Sequence, residues 1–223
     1  MADGATHYFD FAFFRIDPKW RWMADLAKEE SAKEVDNVIR SSGITFRSYS
    51  TLGIRDDAEV LFWFCSERIE EIQDVMSQLY LTVFGKYIIP SRVYLSCTRP
   101  SHYARKGVTP AILTSSDARR YVIVYPFTKT REWYLLDDKA RQEMMTEHIA
   151  VGQKYPGVSL NTSYSFGIHD QDFMLAFECD DLTEFQNLIM DLRKTKVSRY
   201  VQQDTPMIVG IKKDIIPLIT SLG

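Results

Sequence analysis

Three side chains in the second half of this 223-residue sequence could carry out chemistry that the first half lacks. They are Tyr125, Lys129 and His148. The two halves are related by an internal repeat, and the residues found 113 positions earlier are Ala12, Ile16 and Val35. A phenol, an ammonium and an imidazole can exchange protons or bind metals, whereas the three counterparts cannot. Features that only one copy has are therefore candidates for function, and features that both copies have are candidates for fold.

The repeat rests on short matching segments at a nearly constant spacing. The turn at 53–57 (Gly-Ile-Arg-Asp-Asp) recurs at 167–171 (Gly-Ile-His-Asp-Gln), which is a spacing of 114. At a spacing of 113, Trp133 corresponds to Trp20. Because both halves have this tryptophan, it belongs to the shared scaffold, although it could also line the edge of a bound cofactor.

His148 is the residue of this set that could bind a metal. Met144 and Met145 precede it by four and three residues, and Gly152 follows it by four. Residues with this spacing share one face of a helix. Apolar side chains beside an imidazole, with a glycine one turn on, would let a flat aromatic cofactor approach, as a proximal histidine holds haem iron. The alternative is a half-buried helix histidine beside methionines that only fill the core.

Both halves have the same predicted order of elements: strand, helix, two strands, helix, strand. This βαββαβ order is typical of the ferredoxin-like fold. Two such units in one chain predict an α+β protein in which sheet packs against sheet, as in a dimeric α+β barrel. The predicted division is a first unit at 1–97 without a cofactor, a linker at 98–117, and a cofactor-binding second unit at 118–223.

The predicted elements follow from hydrophobic period and helix-capping residues. In the first half they are strand 8–15, a helix from Asp17-Pro18 to about Ser42, strands 44–52 and 59–65, helix 69–81 and strand 92–97. In the second half they are strand 120–127, helix 138–154, strands 158–166 and 172–178, helix 182–193, strand 206–211 and a short tail helix.

Composition and missing motifs exclude several classes of function. With 27 Lys and Arg against 30 Asp and Glu, the net charge is −3, which favours neither nucleic acid nor an anionic membrane as a partner. The three cysteines are far apart and support neither a disulfide framework nor a zinc site. No HExxH, GxSxG, P-loop or GxGxxG motif occurs. No signal-peptide pattern or run of about 18 apolar residues is found, so we expect a cytoplasmic protein.

Three segments of the second half resemble the chlorite dismutase-like haem proteins, a group that includes chlorite dismutases and coproheme decarboxylases. The segments are 125–136, 144–152 and 166–173. The likeness covers the second half closely and the first half mainly as architecture. It implies two ferredoxin-like units per chain, haem in the second unit, and ring-shaped homo-oligomers, commonly pentamers.

The resemblance also implies a role for each candidate residue. By match to the family's motifs, His148 corresponds to the proximal ligand of the haem iron. Tyr125 corresponds to the redox-active tyrosine of coproheme decarboxylases, and Lys129 to their lysine beside the reacting propionate. Arg193 and Ser198 correspond to the pair that holds propionates in those enzymes. The other residues expected at the cofactor are Trp133, Met144, Gly152 and Asn161.

Two departures from the family pattern favour the decarboxylase branch. Chlorite dismutases have a distal arginine thirteen residues after the proximal histidine, where this chain has Asn161, or Leu160 when counted back from the turn at Gly167. They also have a glutamate that pairs with the proximal imidazole, where this chain has Val197. Loss of that carboxylate should leave a weaker imidazole donor and raise the iron potential.

The expected function is oxidative decarboxylation of iron-coproporphyrin III (coproheme) to haem b with hydrogen peroxide, with one of these porphyrins as the bound cofactor. One alternative is a haem-dependent peroxidase or chlorite dismutase-like protein with another substrate. A second is a non-catalytic porphyrin carrier or sensor, which would not need a redox-active tyrosine. A third is a porphyrin-free α+β barrel whose pocket has decayed. The expected partners are a porphyrin, peroxide and further copies of this chain.

Overall fold

The computed structural model describes residues 5–99, 111–114 and 118–223. The chain divides into two compact units, the first formed by the described residues up to 98 together with 209–223, and the second by those between 99 and 208. Most of the predicted linker at 98–117 lies outside the described residues.

The first unit has the predicted order of elements. They are β1 (Tyr8–Ile16), α1 (Asp25–Ser42), β2 (Thr45–Ser50), β3 (Val60–Ser66), α2 (Ile69–Leu81) and β4 (Ile88–Cys97). β1 lies between β3 and β4 and is antiparallel to both, and β2 pairs with the other edge of β3. This strand order is that of a ferredoxin-like unit.

The helix predicted from Asp17-Pro18 to Ser42 is interrupted near its start. Asp17 does act as a cap, since its carboxylate accepts a hydrogen bond from the Lys19 backbone N–H at 2.8 Å. The helix that it begins is a short 3-10 helix, Pro18–Trp22, and Met23 is extended before α1 starts. The break allows Trp20 to be fully buried, which the continuous helix of the prediction did not anticipate.

In the first unit the two long helices cover one face of the sheet with an apolar core. Alternate residues of β1 point to this face, because successive side chains of a strand point to opposite sides. Buried in this core are Ala12, Phe14, Val35, Ile39, Ile72, Val75 and Leu79. Two of them, Ala12 and Val35, are the counterparts of Tyr125 and His148. The first unit therefore uses these positions only for packing.

The second unit has the same arrangement with additional short elements. They are α3 (Ala111–Thr114), β5 (Tyr121–Lys129), α4 (Arg131–Leu135), α5 (Asp138–Gly152), β6 (Val158–Tyr164), β7 (Phe173–Cys179), α6 (Leu182–Leu192) and β8 (Val201–Gln203). β7 lies between β5 and β6, and β8 pairs with the end of β5. The sequence interpretation missed α4, β8 and the 3-10 helix Lys196–Tyr200, because elements of three to five residues have no measurable periodicity.

The internal repeat is visible in the geometry of its turns. Gly53 and Gly167 both have a φ of 73°, a left-handed conformation that glycine adopts without steric cost. The following residue closes the same turn in each copy, since the Ile54 N–H donates to the Thr51 carbonyl and the Ile168 N–H to the Ser165 carbonyl. The spacing of 114 read from the sequence thus marks structurally equivalent positions.

The tail of the chain returns to the first unit. It forms β9 (Ile208–Lys212) and α7 (Ile215–Thr220). β9 pairs with β2, where Lys212 lies opposite Tyr49, and α7 packs against α1. The second unit therefore ends near residue 208, and not at residue 223 as the sequence interpretation placed it. The α+β class of the fold is confirmed, with mixed helices and antiparallel strands.

Among the residues that the structure describes, no helix is both long enough and apolar enough to span a membrane.

Asp57 offers a test of how the turn of the first unit is stabilised. The Arg55 side chain donates two hydrogen bonds to its carboxylate (2.8 and 2.9 Å) and Arg92 donates two more (2.9 and 3.0 Å), which lower the pKa of Asp57 from 3.8 to about 2. Because the folded-state pKa lies below the unfolded value, the ionised carboxylate stabilises the fold above pH 3.8 and loses this contribution as the pH falls to 2. Asp57→Asn should lower the free energy of unfolding by about 1–2 kcal/mol at neutral pH, and by less as the solution is acidified. Urea denaturation at several pH values measures both effects.

The matched control is Asp170→Asn, which removes the exposed acid at the equivalent turn of the second unit. It should change the free energy of unfolding by less than about 0.5 kcal/mol. A loss for Asp57→Asn that is the same at neutral and at strongly acidic pH would contradict this account.

Candidate functional site

The second unit leaves space where the first unit has a core. α1 contributes five buried residues, whereas α5, which is described throughout, contributes none. The strand residues below α5 are also less covered: β3 is buried along its whole length, but Phe173 and Leu175 of β7 are only half-buried. Leu175 lies opposite Tyr125 in the β5–β7 ladder, so these residues share one sheet face. α5 therefore packs less completely on its sheet than α1 does in the first unit.

His148 lies on α5 as a half-buried, uncharged imidazole. Burial and, to a smaller extent, the positive charge of Lys129 lower its pKa to about 4. Its Nδ1 atom is buried and has no hydrogen-bond partner in the described chain. Nε2 is not among the buried atoms that lack a partner. An uncharged imidazole needs to lose no proton before it binds a metal. Nε2 is thus the nitrogen available to a ligand.

A metal bound by His148 would need most of its ligands from elsewhere. Within the described ranges, no three or more His, Cys, Asp or Glu side chains come together as a metal-binding group. The helix surface is open one turn after His148, because a Cβ built on Gly152 meets no atom within 4 Å. Met144 and Met145 are half-buried at the preceding turn. The arrangement suits a metal that arrives with its own planar ligand.

Lys129 is a buried cation whose neighbours are aromatic rings. It is 8% exposed, and its Nζ lies 4.6 Å from the centroid of the Trp133 ring and 5.2 Å from that of Phe127. Burial lowers its pKa to about 8, so most of the side chain remains charged at neutral pH. No ion pair between this ammonium and a carboxylate exists among the described residues. Lys129 is therefore available to an anionic ligand.

Tyr125 lies on the same face of β5 as Lys129. It is 4% exposed and stacks on Phe177, with 5.9 Å between ring centroids and an interplanar angle of 12°. Burial raises the pKa of its phenol, the negative charge of Asp204 raises it further, and the nearby Arg193 opposes that change. The phenol is consequently protonated at any physiological pH. Tyr125 can release an electron only together with its proton.

Arg193 lies close enough to Tyr125 to lower the pKa of its phenol, and Ser198 is linked to Arg193 by a hydrogen bond. The Ser198 hydroxyl donates to the backbone carbonyl of Arg193 at 2.8 Å and to that of Thr195 at 2.7 Å. The Arg193 side chain is 64% exposed and meets Asp204 at 3.4 Å. Ser198 therefore fixes the backbone from which the guanidinium extends.

The 3-10 helix Lys196–Tyr200 packs against α5. The Lys196 N–H donates to the Glu147 carboxylate at 3.3 Å, and Val197 is buried within this turn. A valine cannot accept a hydrogen bond, which agrees with the unpaired Nδ1 of His148. That Val197 takes the place of a carboxylate beside this imidazole stays a prediction.

The structure does not bring Asn161 to this face. Asn161 lies opposite Ala176, whereas Leu160 lies opposite Phe177, which stacks on Tyr125. The sheet face shared with Tyr125 therefore presents Leu160, which is 40% exposed. The Asn161 amide is committed to the backbones of Ile112 and Ala176 and to the Glu178 carboxylate, each at 3.2 Å.

Trp133 belongs to the scaffold and also touches the site. It packs on Tyr200 with 5.6 Å between centroids, and its counterpart Trp20 packs on Tyr87 with 5.5 Å. These four residues are related by the spacing of 113. Among the described residues, Trp133 also lies close to an ammonium, that of Lys129, and Trp20 does not.

In each unit a carboxylate accepts a hydrogen bond from the end of the first strand, and in the second unit that strand is β5. The Lys129 backbone N–H donates to Asp172 at 2.8 Å, and at the equivalent place the Ile16 N–H donates to Glu59 at 3.0 Å. Asp172 therefore positions Lys129 by a contact that both units have. This contact is a property of the fold.

The sequence interpretation missed Asp204. It follows β8, an element too short to predict, and pairs with Arg193 at the edge of the Tyr125 environment. The comparison between halves could have found it, because the residue 113 positions earlier is Ser91. Asp204 is thus another charge that only the second unit has.

Comparisons with known proteins agree with this description. A sequence profile described as chlorite dismutase matches residues 28–213. A coproheme decarboxylase from Mycolicibacterium smegmatis is 31% identical over 182 residues, which cover 81% of this chain and 78% of that protein. The chain therefore belongs to the chlorite dismutase family.

Solved structures show the same relationship. Chlorite dismutase from Candidatus Nitrospira defluvii in complex with imidazole is 26% identical and superposes with a TM-score of 0.86 over 96% of this chain and 93% of that one. A putative chlorite dismutase has a TM-score of 0.83 at 24% identity, over 98% of this chain and all of that one. The latter supports the fold alone.

α5 should open more readily than α1 in the ligand-free protein. A helix that buries no residue has little packing to protect its amides from exchange. Hydrogen–deuterium exchange followed by mass spectrometry should show amides of α5 exchanging at least about tenfold faster than those of α1. α2 and α6, which both bury apolar residues, serve as a control pair and should be protected to similar extents. Equal protection of α5 and α1 would contradict the open site.

Proposed function

We propose that this protein oxidatively decarboxylates iron-coproporphyrin III to haem b, with hydrogen peroxide as the oxidant. The main support is the space below α5, which is bordered by an uncharged imidazole, a buried ammonium and a protonated phenol. In the first unit, apolar residues occupy the equivalent positions. The similarity to a coproheme decarboxylase favours this substrate over the others of the family.

The residues present suit an iron porphyrin. His148 would bind the iron through Nε2, since the imidazole is uncharged at neutral pH and Nε2 is not among the buried atoms that lack a partner. Gly152 and the half-buried methionines would allow the flat ring to lie against α5. An iron porphyrin, when bound, supplies an iron centre that reacts with peroxide, chemistry that no side chain of this chain provides.

The substrate carries four propionates, and this site has cations for carboxylates. Lys129 would hold one, because its ammonium has no acidic partner and a carboxylate would stabilise its charge in a buried setting. Arg193 would hold another with its guanidinium fork. Ser198 would act through its bonds to backbone carbonyls, which fix the position of Arg193.

The reaction at each propionate is a two-electron oxidation. The side chain –CH2–CH2–COOH becomes –CH=CH2 and CO2, while one hydrogen peroxide takes the two electrons and two hydrogens to become two water molecules. One hydrogen must leave the carbon next to the porphyrin ring. Tyr125 is suited to transfer an electron and a proton together, because its buried phenol cannot persist as a phenolate. Lys129 would hold the reacting carboxylate until it leaves as CO2.

Two features of the site favour decarboxylation over chlorite chemistry. The face that Tyr125 shares with β6 presents Leu160, where the family resemblance places a distal arginine in chlorite dismutases. The imidazole of His148 lacks a carboxylate on Nδ1, which leaves it a weaker donor. Consumption of peroxide without vinyl formation would favour a peroxidase with another substrate.

A cytoplasmic location and a homopentameric ring are part of the same proposal. All three cysteines are free and buried, as is usual where thiols stay reduced. The pentamer rests on the family resemblance and is testable by light scattering.

Tyr125→Phe should separate catalysis from binding. The variant should bind iron-coproporphyrin III as the parent does, because stacking on Phe177 and packing are retained. Its rate of vinyl formation should fall at least about a hundredfold, because a phenyl ring cannot transfer a proton with an electron. Soret absorbance measures binding, and product mass after peroxide addition measures turnover.

Tyr121→Phe is the matched control, since Tyr121 lies on the same face of the same strand, four residues earlier. It should decarboxylate at the parent rate. Parent-like turnover by Tyr125→Phe would show that the tyrosine assignment is wrong. Binding of the porphyrin without any turnover by the unaltered protein would favour a carrier.

A further inference from the structure

Arg193 and Asp204 form an ion pair that has no equivalent in the first unit. The residues 113 positions earlier are Tyr80 and Ser91. Both charges lie close enough to Tyr125 to influence the pKa of its phenol, Asp204 raising it and Arg193 lowering it. The pair therefore borders the proposed porphyrin site. It places a carboxylate of the protein where the substrate also brings carboxylates.

The contact between the two side chains is loose. One guanidinium nitrogen of Arg193 meets one oxygen of Asp204 at 3.4 Å, and the side chains are 64% and 32% exposed. Charge-assisted pairs with good geometry are shorter and often bidentate. Arg55 and Asp57 in the first unit illustrate this, with two contacts at 2.8 and 2.9 Å. The Arg193–Asp204 pair is consequently easy to separate.

Asp204 is held in place by the backbone and does not depend on Arg193. β8 pairs with the end of β5, so that Val201 lies opposite Lys129 and Gln203 opposite Thr128. The Gln203 side-chain amide then donates to the Thr205 carbonyl at 3.0 Å. The carboxylate at position 204 is thus presented by a fixed strand end, whereas the exposed guanidinium is free to turn away.

We propose that Asp204 is an internal competitor for Arg193. Its carboxylate pairs with the guanidinium when no porphyrin is bound and is displaced when a porphyrin carboxylate binds. This role rests on the proposed function, because it assigns Arg193 to a substrate carboxylate. Asp204 thereby lowers the affinity for the substrate, and it neutralises Arg193 again when the ligand leaves.

The test is a double-mutant cycle on porphyrin affinity. Iron-coproporphyrin III is titrated into the parent, Asp204→Asn, Arg193→Gln and the double variant at low ionic strength, with the Soret band as the readout. Asp204→Asn should bind about fivefold more tightly, as expected for release of a weak surface pair. In the Arg193→Gln background the same change should have no effect, because the competition acts through Arg193.

Asp180→Asn is the matched control. Asp180 pairs with the exposed Arg119 at 2.9 Å in the same unit, and its removal changes the net charge equally. It should leave the affinity unchanged. Should Asp204→Asn not fold, Asp204→Ser has the same expected result.

Three results would overturn the inference. Weaker binding by Asp204→Asn would show that Asp204 orients Arg193, and unchanged binding would show that it is a bystander. An equal gain in porphyrin affinity in the parent and in the Arg193→Gln background would show that Asp204 acts only by general charge repulsion. Failure of the proposed function would give a different result, in which the unaltered protein binds the porphyrin and does not decarboxylate it. In that case the double-mutant cycle on affinity still decides the role of Asp204. Absence of porphyrin binding by the unaltered protein would overturn both.

Discussion

The structure depends on one contrast, which is that α5 buries none of its residues whereas the equivalent helix of the first unit, α1, buries five. In the first unit the equivalent helix and sheet share an apolar core, and the fold needs nothing more. In the second unit a histidine, a lysine and a tyrosine replace three of those apolar residues. Burying unpaired polar groups costs free energy, so this half of the chain gives up packing. What it gains is a space whose imidazole is uncharged and whose ammonium has no acidic partner in the described chain. A planar ligand with a metal at its centre and carboxylates at its edge would compensate each of these groups.

Much of the fold could be predicted because the same pattern occurs twice. α2 begins and ends at the predicted residues, and the two glycine turns match in φ and in hydrogen bonding. The comparison of halves also separated scaffold from candidate site: Trp133 proved to repeat the packing of Trp20. The structure brings Arg193 near Tyr125 and Lys129 near His148, and it places Tyr125 and Lys129 on one strand. The roles assigned to them stay predictions.

The remainder depended on information that local sequence does not contain. Asn161 and Leu160 are adjacent, and only the register with β7 decides which of them faces Tyr125, because a one-residue shift reverses the faces. The tail 209–223 packs with the first unit, a long-range contact that no repeat could indicate. Asp204 follows a three-residue strand whose existence depends on pairing with β5. In each case tertiary contacts decided the outcome.

The most direct test is whether His148 binds the metal of a porphyrin. Iron-coproporphyrin III is titrated into the parent, His148→Ala and, as a control, His169→Ala, whose imidazole is hydrogen-bonded to Gln171 in a turn. The account predicts that only His148→Ala loses the Soret band of the ligated iron, with an affinity at least about tenfold lower. If His148→Ala kept both the Soret band and the affinity of the parent, the account would be contradicted.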